Sequence, residues 1–148
     1  MKCISYLDIN NIFFRHKKLD FKKLKEWIEN QYEIVRLNAF NAIDHKNELQ
    51  VKFNIYLSNN GYKVENYDIS LVTNVDPIII TTMCTDALYF KHNVILLVAC
   101  DGGYSYPLNE LSKRGYKIHV VGVKNNTSTD LLKIADNISY LEDIGVVL

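Results

Sequence analysis

Two hydrophobic periods alternate along this chain. Runs rich in Val, Ile, Leu, Phe and Tyr predict strands over residues 3–9, 32–43, 62–72, 93–100, 117–123 and 138–141. Between them, Phe21, Leu24, Trp27 and Ile28 recur at helical spacing and predict a helix over residues 21–31. Further helices are predicted over residues 46–59, 76–91, 107–114 and 128–135. Gly61 closes the second of these as a left-handed cap. Asp76-Pro77 opens the third, with Asp as N-cap and Pro at the first helical position. The order is βαβαβαβαβαβ with short connections. That predicts an α/β fold: a Rossmann-like, three-layer domain with a mostly parallel central sheet of five to six strands and right-handed crossovers. Nothing in the pattern divides residues 1–148, so a single domain is expected.

Composition narrows the function classes. The chain carries 17 basic and 17 acidic residues, so a nucleic-acid partner would need a local basic patch rather than bulk charge. No apolar run approaches the ~18 residues that span a membrane, and Met1-Lys2-Cys3 runs into a strand with no small-residue cleavage site, so no signal peptide is expected. Cys3, Cys84 and Cys100 have no CxxC spacing, which fits reduced thiols in a cytoplasmic protein. The four histidines share no metal-ligand spacing, and neither a Walker A nor a GxGxxG sequence occurs.

Candidate chemistry lies at strand ends. Asp8 closes the first apolar run, Asp101 closes the run over residues 93–100, and Asp76 follows another strand. In a doubly wound sheet the carboxyl ends of strands one and four meet beside the switch point, where ligands bind. Asp8, Asp76 and Asp101 are therefore expected at one rim. Three carboxylates there suit Mg2+ or Mn2+, hard cations that take oxygen ligands and keep several waters. A metal so held can activate water for attack on a phosphodiester. Each Asp also has a plainer reading. Asp101-Gly102-Gly103 is a turn sequence, and Asp76 before Pro is a good cap. Asp8 has no obvious turn chemistry.

Asp8-Ile9-Asn10-Asn11 resembles the opening D-G-x-N motif of NYN domains, the LabA-like branch of the PIN-like nucleases. Further similarities follow in order: Asn60-Gly61-Tyr62, Val75-Asp76, Leu97-Val98-Ala99-Cys100-Asp101-Gly102, Gly115-Tyr116 and Ala135-Asp136. The resemblance implies a PIN-like fold and metal-dependent RNA cleavage, with Asp8, Asp76 and Asp101 as catalytic metal ligands and Asn11 supporting them. Asn10, Ser105 and Asp86 are further supporting positions. The chain departs from the pattern at Ile9, where the family has Gly, and at Gly103 and Thr82, where it often has Asp. So thinned an acid set implies a weakened nuclease. The alternative is an RNA-binding or protein-interaction module on the same fold, its chemistry lost.

RNA is the expected partner, with a homodimer as a further one. Lys17, Lys18, Lys22, Lys23 and Lys25, with Arg15 and His16, could track phosphates. Tyr104 and Tyr106 could stack on bases at the rim.

Overall fold

The computed structural model describes residues 1–15 and 18–148, with residues 13–15 described by backbone alone. Six strands form one sheet: β1 (Lys2–Asp8), β2 (Glu33–Ile43), β3 (Lys63–Asp68), β4 (Val94–Val98), β5 (Lys117–Gly122) and β6 (Asn137–Tyr140). Every pairing is parallel, and the order is β3-β2-β1-β4-β5-β6. The chain builds outward from β1 to β3, then returns to the other side of β1 and builds outward again. The reversal puts β4 beside β1, with Leu7 opposite Val98. Asp8 lies across from Phe40 of β2.

Strand alternation divides the core into two layers. In β4 every residue is buried, as a continuous Val-Ile-Leu-Leu-Val run requires. Val94, Leu96 and Val98 pack with Leu24, Ile28 and Leu57 on one face. Ile95 and Leu97 pack with Ile79, Met83, Leu108 and Leu131 on the other. The first face carries α1 (Ile9–Arg15), α2 (Phe21–Glu29) and α3 (Glu48–Asn59). The second carries α4 (Asp76–Tyr89), α5 (Ser105–Lys113) and α6 (Thr129–Ile134). The expected three-layer α/β architecture is present, with all six strands parallel.

The pattern misplaced several elements. Helix α1 had no expectation behind it. Two adjacent Asn residues are weak helix formers, yet Ile9 and Ile12 are buried and fix the segment against the first layer. Strand β3 stops at Asp68 rather than 72, because the Asp68 carboxylate takes the Ser70 N–H at 2.9 Å and turns the chain. Helix α4 starts at Asp76, so Asp76 is its first residue and not its cap. Helix α5 starts at Ser105, two residues before Pro107. A Pro in a first turn removes an N–H that has no intrahelical partner anyway.

Candidate acidic site at the sheet switch point

The missing helix explains Asp8. Its Oδ1 accepts the Asn11 backbone N–H at 3.1 Å, three residues on, so Asp8 is the cap of α1. The other oxygen, Oδ2, accepts the Tyr104 hydroxyl at 2.8 Å. Only 1% of Asp8 is exposed. Asn11 lies one turn into α1, and its Oδ1 accepts the Cys100 N–H at 2.9 Å. That bond ties the end of β1 to the exit of β4 across the switch point. Asn10 ties the other side: its Oδ1 accepts the Ala42 N–H at 2.8 Å and its Nδ2 donates to the Ala42 carbonyl at 3.1 Å.

Asp76 is freed from capping by its neighbour. Asn74 Oδ1 accepts the Asp76 N–H at 3.0 Å, and Pro77 has no N–H to satisfy. The Asp76 carboxyl turns inward, where its Oδ1 lies 3.0 Å from the Tyr104 hydroxyl. The Asp101 and Asp8 carboxyls are its neighbours in the cluster. Asp101 caps the 3₁₀ turn Gly102–Tyr104 through the Gly103 N–H at 3.0 Å. These residues line a cleft of about 380 Å³, with Asp8, Asn11, Asn74, Asp76 and Asp101 on its walls.

Crowded carboxyls cannot all ionise. Burial, then the Asp101 and Asp8 carboxyls, push Asp76 up to about 7. Burial also raises Asp8, against the opposing hydrogen bonds from Tyr104 and from the Asn11 backbone. Asp8 and Asp76 together therefore hold a proton to higher pH than free carboxyls do. The Tyr104 hydroxyl faces both carboxyls, and its one proton can be donated to only one of them at a time. Burial and both carboxylates hold the Tyr104 phenol far above its ordinary range. Among the described residues no three His, Cys, Asp or Glu side chains stand in the geometry of a metal cage. The donor set itself, carboxyl oxygens of Asp8, Asp76 and Asp101 lining one cleft, has the chemistry of a hard-cation site.

Several expected site residues are engaged elsewhere. Tyr104 has no exposed surface, so its ring cannot stack on a base. Its hydroxyl is what reaches the site, and nothing in the spacing of the sequence pointed to it. Ser105 Oγ donates to the Gly102 carbonyl at 2.7 Å and closes the 3₁₀ turn. Asp86, nearly three turns along α4 from Asp76, accepts the Tyr6 hydroxyl at 2.7 Å and pairs with Arg36 at 3.8 Å. It takes no part in the acid cluster. Thr82 Oγ1 donates back to the Ile78 carbonyl at 2.8 Å. Lys18 and Lys22 are exposed near and on α2. His16, Lys17 and the Arg15 side chain lie outside the described residues. Tyr106 is exposed at the start of α5.

The order of strands and the acid-lined switch point define a PIN-like α/β protein. The model of the NYN domain matches residues 4–142, and the chain belongs to that family, within the PIN-like nuclease superfamily. A crystal structure of a protein of unknown function from Vibrio parahaemolyticus is similar in fold. Its TM-score is 0.81 at 22% identity, over 99% of this chain and 96% of that one. No curated protein matches the chain. Among the described residues, no helix is long and apolar enough to cross a membrane.

Proposed function

We propose that this protein is a divalent-metal-dependent ribonuclease of reduced acid content, acting on cytoplasmic RNA. The observation that carries the reading is the meeting of Asp8 at the end of β1, Asp76 at the start of α4 and Asp101 after the exit of β4 in one cleft at the switch point. Asp8, Asp76 and Asp101 would hold a magnesium or manganese ion. Such an ion supplies polarisation of a phosphate oxygen and a more acidic water.

The chain's own groups have distinct parts. Asp8 is held rigidly by the Asn11 N–H and the Tyr104 hydroxyl. Asp76, raised to about 7 by burial and by the Asp101 and Asp8 carboxyls, would give up its proton as the ion binds, so ion binding would strengthen as pH rises. Asn11 fixes the exit of β4 relative to Asp8 and is a positioning residue. Lys18 and Lys22 are proposed phosphate contacts.

A second reading, a binding module with lost chemistry, is favoured by Tyr104. Its hydroxyl stands between Asp8 and Asp76, and Gly103 adds no further carboxylate. Labelled single-stranded RNA, incubated with magnesium or manganese, separates the two. Cleavage that disappears in Asp8→Asn supports the nuclease. RNA binding with no cleavage under either metal overturns it in favour of the module.

A further inference from the structure

A second pocket adjoins the acid cleft and has no part in the chemistry above. The two share Asn10, Ala42 and Ile69 as a common wall. The second encloses about 400 Å³ at the carboxyl end of β2, against the first turns of α3. Its lining contains no charged residue. Leu49, Phe53 and Ile69 form apolar walls, while Asn41, Asn47 and Gln50 contribute amides.

The amides are arranged rather than incidental. Asn41 is 6% exposed, and its Nδ2 donates to Asn54 Oδ1 at 2.8 Å, which locks its orientation. Asn54 is itself buried, with its Nδ2 unpartnered among the described residues. Asn47 Oδ1 caps α3 by accepting the Leu49 and Gln50 N–H groups. Gln50 Oε1 accepts the Asp44 N–H at 2.7 Å. These bonds leave Asn41 Oδ1, Asn47 Nδ2 and Gln50 Nε2 without a partner among the described residues. The pocket is thus lined by amides whose hydrogen-bonding capacity the fold does not use up, between apolar walls and with no charge. A phosphate or carboxylate finds no counter-ion there, and a purely apolar ligand would strand the amides. A neutral, flat heterocycle with donors and acceptors on its edge satisfies both.

We propose that this pocket takes an unstacked nucleobase of single-stranded RNA, next to the phosphate that lies in the acid cleft. The inference rests on the ribonuclease reading for its substrate class, but base capture is measurable without cleavage. The pocket would set which nucleotide stands beside the cut. Apolar contact with the base faces supplies affinity, and the amides read the base edge.

The test uses the full chain carrying Asp8→Asn and fluorescein-labelled RNA heptamers: four homopolymers and an abasic ribose-phosphate heptamer. Anisotropy titration is expected to find at least one homopolymer bound roughly tenfold or more tighter than the abasic strand, the scale of one stacked base. Leu49→Ala changes a residue that is 77% exposed, so the fold is retained. Together with Gln50→Ala, it should erase most of that preference and leave abasic binding unchanged. Equal binding of all five strands, no binding of any, or a preference untouched by both variants overturns the pocket. Its failure is separable from that of the nuclease. Base preference without cleavage by the wild-type chain retains the pocket and rejects the enzyme, whereas cleavage without base preference does the reverse.

Discussion

Tyr6 and Tyr104 each donate to a buried aspartate, yet the two aspartates stand in opposite surroundings. Asp86 accepts Tyr6 at 2.7 Å and has the Arg36 guanidinium at 3.8 Å. Arg36 in turn lies over the Phe90 ring, 4.8 Å from its centre. That acid is compensated and closed off inside the second layer. Asp8 accepts Tyr104 at 2.8 Å, but its neighbours are other carboxyls. Among the described residues no Lys or Arg pairs with Asp8 or Asp76, and both line an open cleft. A buried acid with its own cation holds the fold together. A buried acid set against other acids holds unfavourable potential that an incoming cation or proton relieves. A tyrosine partner therefore does not distinguish a structural from a functional acid; the compensating charge does.

The largest effect is expected on the structural side. Asp86→Ala strands Arg36 and the Tyr6 hydroxyl, and should cost about 3–5 kcal/mol in urea unfolding, while the remaining folded protein keeps its RNA affinity. If Asp86→Ala unfolds at the wild-type midpoint, the two acids do not differ as described. Asp8→Asn should behave inversely. RNA cleavage should drop by at least about a hundredfold, ~2.7 kcal/mol in the barrier, with stability retained or raised because one crowded charge has gone. Cleavage within threefold of wild type would remove Asp8 from the chemistry.

The pH dependence of stability sharpens the contrast. With Asp76 raised to about 7 in the fold from an ordinary 3.8, the folded chain binds more protons than the unfolded one between those values. Stability without added cation should therefore fall as pH rises from about 4 to about 7, then level off. Asp76→Asn should flatten that slope. Saturating magnesium or manganese should restore stability above pH 7, by about 2.7 kcal/mol at a hundredfold excess over Kd, and do nothing near pH 4. A thermal scan across pH, with and without metal, reads both, and a slope unchanged in Asp76→Asn would sink the assignment.

Gly103→Asp is a smaller and constructive test. A Cβ at Gly103 would lie 3.8 Å from Asp76 Oδ2 and 3.6 Å from Asp101 Oδ1, ordinary contact distances, so a carboxylate can be added without displacing backbone. Cation affinity, read by calorimetry, should rise roughly tenfold as the ligand charge increases. An unchanged affinity would place the ion elsewhere. The smallest effects come from the two tyrosines. Tyr104→Phe and Tyr6→Phe should each cost about 1 kcal/mol of stability. Only the first should strengthen cation binding, because only that hydroxyl stands between the proposed ligands Asp8 and Asp76. Equal cation responses would erase the distinction between the two sites.

The general fold was legible because its cause is local. Continuous apolar runs such as Val94–Val98 are buried strands, and helical spacing at Phe21, Leu24 and Ile28 marks one buried face. Alternation of the two gives parallel crossovers, and reversal of strand order beside β1 brings Asp8 and the exit of β4 together. Helix α1 was not legible, since Asn10 and Asn11 oppose it locally and the burial of Ile9 and Ile12 outweighs them. With α1 went the capping role of Asp8. Tyr104 and Asp86 were misjudged for a related reason. A sequence gives residue types and spacing, but the direction of a side chain is set by what packs beneath it. Tyr104 is turned under the rim by the second core layer, and Asp86 is drawn inward by Arg36 and Tyr6, which lie 50 and 80 residues away along the chain. The sequence by itself determined the layers, the parallel crossovers and the neighbouring of β1 and β4. Tertiary structure alone decided which of those acids is compensated, because compensation depends on charges and hydroxyls brought together from distant segments.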